Sequence, residues 1–445
     1  MASPQRALPA GQWRKDFRYV WAGESASLLG TQVLQLALPL TAITTLKATA
    51  GQLGLLGAAT YAPYLLIGLP AGILVDRRHR RPIFIIANLG QMAAIGAVPL
   101  LAAIHQLSFP RLLAAALFAG FMRVLFTIAY RSYLPAIVPP EYLTPANARL
   151  TASESVAQIG GPGIAGVLVQ LIGAPYTLIV DSVSYLASAL GSIAVRQREP
   201  AVRRDPAPMR KQIAEGFSFT FHSGYLRAFL GEAASYNLCW QIVQTILVLF
   251  AVRDLGMKPG TLGLVMSLGA VGALLGASST GRIAARIGLG RTLVATAVIG
   301  DLAPLVLPAA GHGGWAAPLF AVAFFVQGIG TTGCNVHAMA IRQTITPDRI
   351  RGRTNAAYLF VVLGIQPFGS LIGGWLGDSI GLRATLLVGV LGLLSTSLFI
   401  IFSPCRRVRD LGELIGDAQT DAGAEAGAGA HFVTEAEAAD EESRR

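Results

Sequence analysis

The sequence has few charged side chains, and this shortage excludes most soluble folds. Only 13% of its 445 residues are Asp, Glu, Lys or Arg, whereas 53% are hydrophobic. Soluble domains carry about 25% charged residues, so this chain has too few to cover a water-exposed surface of its size. The high hydrophobic content also excludes intrinsic disorder for most of the chain. A membrane protein with several spans is the class that remains.

Cysteines and short enzyme motifs are scarce as well. The three cysteines, Cys239, Cys334 and Cys405, are odd in number and far apart, which excludes a disulfide scaffold. The chain contains neither a phosphate-binding P-loop motif nor the HExxH motif of metalloproteases. We therefore expect no enzyme activity, no catalytic residues, no cofactor and no metal site.

Long apolar stretches are what the sequence has instead. A membrane-spanning helix needs about 20 mostly apolar residues, and twelve stretches meet this requirement. The predicted fold class is an all-α membrane protein with twelve transmembrane helices. The spans are 19–45, 51–75, 82–104, 110–134, 148–172, 175–195, 228–251, 260–284, 291–311, 315–341, 355–377 and 382–403.

The basic residues predict the orientation of these spans. With the N-terminus in the cytoplasm, 29 of the 35 Lys and Arg residues lie on the cytoplasmic side, five lie outside, and Arg123 lies within a span. Cytoplasmic loops carry such an excess of positive charge. We expect a multi-pass protein of the inner (plasma) membrane with both termini cytoplasmic. The polar, basic first 18 residues predict no cleavable signal peptide.

The two halves of the chain repeat one another. Gly23-Glu24 matches Gly231-Glu232 at an offset of 208 residues, and Asn147-Ala148 matches Asn355-Ala356 at the same offset. The predicted domains are therefore two six-helix halves, 1–195 and 228–403, related by a pseudo-twofold axis along the membrane normal.

Two segments lie outside these halves. The central loop, 196–227, is predicted to be cytoplasmic, and Ile213, Phe217 and Phe221 recur in it at the spacing of an amphipathic helix. The tail, 404–445, is rich in alanine, glycine and acids, and is predicted to be disordered.

The loop after the second span carries the most specific motif. It runs Gly72-Ile-Leu-Val-Asp76-Arg77-Arg-His-Arg80-Arg81-Pro82 and resembles the signature G-x-L-x-D-R-x-G-R-R of the major facilitator superfamily, with a histidine where glycine is usual. A degenerate copy begins at Gly281. The resemblance implies the major facilitator fold. It also implies a conformational latch that holds the outward-facing state, whereas the alternative is a basic cluster that only anchors topology. The latch residues would be Gly72, Asp76, Arg77, Arg80 and Arg81.

Two further resemblances point to export. Gly161, Pro162 and Gly166 in the fifth span resemble a G-P-x-x-G-G motif of superfamily antiporters, although a plain packing motif is the alternative. The Asp181-Ser-Val-Ser-Tyr-Leu run and the Arg342 to Arg353 segment resemble the branch that contains the enterobactin exporter and macrolide efflux pumps. This resemblance covers about residues 17–403.

Ionisable residues within the spans are candidates for proton coupling. A charge at the bilayer centre costs at least about 2.5–3.5 kcal/mol, so such residues usually face a cavity or a partner. Glu24 and Glu232 are equivalent by the duplication, and we expect them to bind protons or a cationic substrate on facing helices. The alternative is structural pairing with Arg18 or Arg227. Arg123 resembles the helix-four arginine linked with proton coupling in superfamily antiporters, whereas Asp181 is interpreted as structural.

Uncharged polar residues predict the character of the cavity. They provide hydrogen bonds without fixed charge, which suits a bulky, partly apolar cargo. His337 is more simply interpreted as a residue that packs between helices than as one that lines the cavity. The candidate cavity residues are Gln32, Gln35, Asn237, Gln241, Asn335 and His337.

These observations together predict a secondary active transporter that works as a monomer. Its function would be proton-coupled efflux of a drug-like small molecule or a siderophore by alternating access. The expected partners are the small-molecule substrate, protons and membrane lipids. No nucleic acid is expected, because topology accounts for the net charge of +11. A lysophospholipid or other lipid flippase and a transport-dead membrane sensor are the alternatives.

Overall fold

The computed structural model describes residues 12–76, 78–195 and 209–412, and these ranges are helical almost throughout. The helices are α1 (Gln12–Leu40), α2 (Ala50–Asp76), α3 (Arg80–Ala103), α4 (Phe109–Ile137), α5 (Leu143–Ile172), α6 (Ala174–Ala194), α7 (Met209–His222), α8 (Gly224–Leu249), α9 (Pro259–Ile287), α10 (Leu289–Leu302), α11 (Ala316–Ile345), α12 (Asp348–Gly364), α13 (Gln366–Ser379) and α14 (Leu382–Ile401).

The predicted class of all-α membrane protein is confirmed. Eleven helical segments in the described ranges are long and apolar enough to cross a membrane, and α2 is a further apolar helix of 27 residues. The predicted span 355–377 is two helices, because Pro367 has no N–H to continue the helical hydrogen bonding and α12 ends just before it. Pro304 also has no N–H to donate, and α10 continues beyond Leu302 as a 3-10 turn that contains it.

The alternating direction of the helices defines two faces. The basic face holds the starts of α1, α3, α5, α8, α10, α12 and the end of α14, whereas the far face holds the opposite ends. Helices α1–α6 pack on one another as a first helix set, and α8–α14 pack on one another as a second. Two main seams join the sets, one between α2 and α13 and one between α5 and α9. Domain boundaries at residues 195 and 228 stay a prediction.

The two faces differ in how the helix sets meet. A single hydrophobic cluster includes Leu40 of the first set with Phe250 and Phe320 of the second, close to the far face. Nearer the basic face, the described residues form separate clusters, with Phe17 in one and Phe229 in another. The molecule is therefore closed at the far face, where Arg253 also donates to the carbonyl of Ala48 at 3.0 Å.

The start of the predicted disordered tail is ordered, which corrects that prediction. Pro404–Arg407 forms a 3-10 turn in which Cys405 is fully buried. The amide of Leu289 donates to Arg409 O at 3.0 Å, and the amide of Gly290 donates to Val408 O at 2.8 Å. Cys405 and Val408 alternate with arginines, a pattern too short for hydropathy to detect. Residues 413–445 lie outside the described residues, so the rest of the tail stays a prediction.

The central loop contains a helix where the periodicity indicates one. In α7, Phe217 stacks on Phe221 at 6.3 Å and contacts Phe360 of α12 at 6.4 Å, measured between ring centroids. Glu215 forms an ion pair with Arg353 of the second helix set. Residues 196–208 lie outside the described residues, and the position of α7 at a membrane surface stays a prediction.

Cysteine labelling can test the predicted orientation. In a variant without native cysteines, Asp205→Cys and Arg349→Cys should resist a membrane-impermeant maleimide in intact cells and react after the membrane is opened, because both would lie in the cytoplasm. His312→Cys, at an exposed far-face position, is the matched control and should react in intact cells. The opposite labelling pattern would invert the orientation.

Candidate functional site

A buried carboxylate in the first helix set has an arginine as an electrostatic neighbour. Asp181 on α6 is completely buried, and Tyr185 and Ser184 of the same helix are its polar neighbours. Arg123 on α4 interacts with it electrostatically. Gly30 of α1 makes room for this arrangement, because a Cβ there would lie 2.8 Å from Asp181 Oδ1 and 2.1 Å from Ser184 Oγ.

Tyrosines surround the arginine. Tyr61, Tyr64 and Tyr185 are its electrostatic neighbours, and Tyr185 is almost fully buried. Tyr64 Oη lies 3.3 Å from Thr127 Oγ1, whose hydroxyl donates to the Arg123 carbonyl one helical turn earlier. The sequence interpretation of Asp181 as a structural residue of a peripheral helix therefore missed its neighbour, since hydropathy does not indicate which side of an apolar helix faces which partner.

Glu24 lies on α1, on the side that contacts α6. It is only 4% exposed, and Ser188 Oγ donates to its Oε2 at 3.5 Å. Its acidic neighbour is Glu154 on α5. Arg18, the partner considered in the structural alternative, is exposed on the basic face.

Glu232 on α8 has a different acidic neighbour, Asp301 on α10. Thr396 Oγ1 of α14 donates to Asp301 Oδ2 at 3.0 Å. The sequence hypothesis places Glu24 and Glu232 opposite one another at one shared site. In the structure each has another carboxylate of its own helix set as an electrostatic neighbour, and the shared site stays a prediction.

The candidate cavity residues fall into two groups. Asn237 donates to Ala233 O at 2.8 Å and accepts from Gln366 at 3.2 Å, and Gln241 donates to Ser370 Oγ at 3.0 Å. The bonds with Gln366 and Ser370 tie α8 to α13.

The other candidates lie in different environments. His337 is buried with Nε2 2.8 Å from Thr280 Oγ1, which joins α11 to α9 and matches the packing interpretation. Gln32 lies against Gly161, whereas Gln35 and Asn335 are exposed.

The helix-five motif forms part of the α5–α9 seam. A Cβ at Gly166 would lie 2.4 Å from Pro259 O, and a Cβ at Gly263 would lie 2.2 Å from Pro162 O. The amide of Gly163 donates across the seam to Ser267 Oγ at 3.0 Å. The two helices therefore touch backbone to backbone, which only glycine permits.

The other seam carries a residue that sequence reasoning missed, Asp378 at the end of α13. Its Oδ1 accepts from the amide of Ala50 at 3.0 Å, and its Oδ2 accepts from the amide of Gly51 at 2.9 Å and from Thr49 Oγ1 at 3.2 Å. These groups form the N-terminus of α2, where a helix carries partial positive charge. We call this contact the far-face clasp.

The duplication supplies a counterpart to the clasp. Gln170 precedes Asp378 by 208 residues, and a Cβ at Gly260 would lie 2.7 Å from Gln170 Oε1. Gly260 is the second residue of α9 just as Gly51 is the second residue of α2, so each seam places a polar side chain at the N-terminus of the opposite helix. Extending the sequence repeat to the ends of the spans would have revealed both positions.

The predicted latch is only partly described. Arg77 and the side chain of Asp76 lie outside the described residues. Gly72 lies in the last turns of α2, and Arg80 begins α3. Arg81 donates to Ser192 O at 3.1 Å and to Ile193 O at 2.8 Å, at the C-terminal end of α6, and so contacts its own helix set. The latch function stays a prediction.

Comparison with known proteins identifies the family. The model of the family described as transmembrane secretion effector matches residues 10–417. The chain belongs to this family. The transporter is a multi-pass member of the major facilitator superfamily and is not an enzyme, as predicted.

Relatives confirm the resemblance to drug-efflux proteins. The transporter is 27% identical over 367 residues to the multidrug efflux pump Tap of Mycolicibacterium fortuitum, covering 78% of this chain and 86% of that protein. It is 28% identical over 184 residues to macrolide efflux protein A of Streptococcus pyogenes, covering 41% and 44%.

A solved structure confirms the fold. The crystal structure of a bacterial homologue of the iron transporter ferroportin superposes with a TM-score of 0.71 at 16% identity, covering 87% of this chain and 98% of that one.

Proposed function

We propose that the transporter exports a drug-like small molecule from the cytoplasm in exchange for protons. The similarity to Tap, over most of both chains, favours this cargo class over a siderophore. The arrangement of the faces supports alternating access. With the basic face in the cytoplasm, a molecule closed at the far face is in the state that receives cargo from inside the cell.

The observation that carries proton coupling is the burial of Asp181 beside Arg123. An ionised carboxylate is costly inside an apolar bundle, so burial alone favours the neutral, protonated form. A neighbouring guanidinium favours the ionised form. A helix movement that changes the distance between these groups would therefore bind or release a proton. Glu24 and Glu232 provide further places to hold one.

Export and proton coupling can be tested together. Cells that lack their own drug pumps should accumulate less of a fluorescent cationic dye, and tolerate more of several antibiotics, when they make the transporter. In proteoliposomes, an imposed proton gradient should drive the same dye uphill, and a protonophore should abolish this movement. Dye flux that does not depend on the proton gradient would refute the coupling. Movement of labelled lysophospholipid without dye flux would establish the flippase, and binding without flux would establish the sensor.

Mutation of the loop after α2 tests the latch. Asp76→Ala and Arg80→Ala should each lower the maximal transport rate about tenfold while changing cargo affinity less than about threefold, because they alter the balance of states and not the cargo site. Initial rates over a range of cargo concentrations separate the two quantities. Weakened affinity with a normal maximal rate would contradict the latch.

A further inference from the structure

A cavity on the basic face lies apart from the buried acids, the latch and the two seams described above. Its volume is about 910 Å³, and it opens between the start of α10 and the chain that leaves α14. Four arginines line it, and none of its described lining residues is acidic. The arginines are Arg291, Arg406, Arg407 and Arg409.

The backbone around this cavity is held in place by buried contacts. The 404–409 segment lies against the start of α10 through the two amide bonds from Leu289 and Gly290. A Cβ at Gly290 would lie 2.4 Å from Cys405 O, so the close approach requires glycine there. Cys405 and Val408 point into the hydrophobic core, and the intervening arginines consequently point outward.

The remaining wall of the cavity is apolar. Ile287 and Ile401 line it together with Val294 and Ala295. Phe402, next along the chain, is 80% exposed. An exposed aromatic ring and exposed aliphatic side chains at the end of a membrane-spanning helix indicate contact with acyl chains. The cavity therefore lies at the boundary between the hydrocarbon region and a cluster of positive charge.

We propose that this cavity binds the phosphate-bearing headgroup of an anionic phospholipid. Arginine guanidinium groups bind phosphate oxygens through paired, charge-assisted hydrogen bonds. The N-terminus of α10 adds partial positive charge at the same place. The volume is in the range of pockets that hold small organic molecules, about 300–1,000 Å³. Basic pockets between membrane helices bind such headgroups, with the acyl chains lying along the neighbouring apolar surface.

The full-length protein can be tested in detergent by native mass spectrometry with added phosphatidylglycerol. The test variant is Arg291→Gln/Arg406→Gln/Arg407→Gln, and it leaves Arg409 in place because Asp410 adjoins it. The matched control is Arg14→Gln/Lys15→Gln/Arg18→Gln, which removes three exposed charges from the same face at α1. We expect the test variant to bind phosphatidylglycerol at least about tenfold more weakly, whereas the control binds like the unaltered protein. Phosphatidylcholine should bind equally to all three.

Further variants keep the test valid if the triple variant fails to fold. Arg406→Lys/Arg407→Lys keeps the charge but removes the paired hydrogen bonds, and should weaken binding about threefold. Gly290→Ala displaces the 404–409 segment without removing charge, and should also weaken binding. Equal loss of lipid from the α1 control would refute the site, since general positive charge would then explain retention.

Two other occupants are outcomes that would overturn the proposal. If inorganic phosphate at millimolar concentration displaces the lipid and raises the unfolding temperature equally well, the site binds a soluble anion. If a chain that ends at residue 412 binds several-fold more lipid than the full chain, and the triple arginine variant shows no such gain, the acidic tail is the resident occupant.

Discussion

Asp378→Ala is expected to shift the transporter from a state closed at the far face toward one that is open there. The clasp contains three hydrogen bonds to a carboxylate, and two of the donors are amides at the N-terminus of α2. A hydrogen bond to a charged group contributes about 1.5–3 kcal/mol, so the loss of one is sufficient to change the ratio of the two states more than tenfold. Spin labels at Ala103 and His312, exposed far-face positions on opposite helix sets, should report a longer distance in the variant.

The duplication provides a matched control for this experiment. Gln170→Ala removes the polar side chain at the equivalent place on the α5–α9 seam, and the shift should be smaller because a neutral amide interacts more weakly with a helix N-terminus. Asp378→Asn should lie between the unaltered protein and Asp378→Ala. A distance distribution that is unchanged in Asp378→Ala would show that the glycine contacts alone close the far face.

The double variant Glu24→Gln/Glu232→Gln should lose proton-driven accumulation by at least about tenfold while inserting normally. Glutamine keeps the size and much of the hydrogen bonding of glutamate but does not exchange a proton at physiological pH. Exchange of cargo at equal concentrations on both sides needs no proton movement and should survive. The single variants should differ from one another, because Glu24 contacts Ser188 whereas Glu232 lies beside Asp301. Flux in proteoliposomes, with and without a pH gradient, measures both activities.

Glu141→Gln is the control for loss of an acid, since Glu141 is exposed on the basic face. It should accumulate cargo as the unaltered protein does. If the double variant pumps with an unchanged dependence on pH, Glu24 and Glu232 are structural. Asp181→Asn should abolish coupling whether or not the glutamates take part, because Asp181 is the completely buried carboxylate with Arg123 as its electrostatic neighbour.

The sequence is sufficient to predict the class of fold, because the length of the spans, the basic loops and the internal repeat can each be recognised directly in the sequence. It also identifies Glu24, Glu232 and Arg123 as ionisable groups within the spans, since any charge inside an apolar run is easy to recognise. Their partners were not predictable in the same way. Asp181 and Arg123 lie on different helices, and pairing them requires the rotation of each helix about its own axis. Helices that are apolar on all sides carry little periodic signal for that rotation.

Asp378 and the 404–409 segment were missed for a different reason. Each lies just beyond an apolar run. At such a position, an acid or a row of arginines is typical of an ordinary loop. What distinguishes them is a contact with a helix N-terminus distant in the chain, Ala50 for Asp378 and Leu289 for the 404–409 segment. Contacts of this kind depend on the assembled seams and ends of the bundle and not on local composition.

The backbone contacts at the α5–α9 seam have a consequence for genetics. At Gly166 and Gly263 any side chain, polar or apolar, collides with a carbonyl of the opposite helix set, so size alone decides whether a substitution is accepted. Each such collision disfavours the state closed at the far face. Loss of Asp76 is expected to disfavour the opposite state. A screen for second mutations that restore growth of an Asp76→Ala strain in antibiotic should therefore recover substitutions at these glycines, far from the first mutation, and alanine should be as frequent as serine.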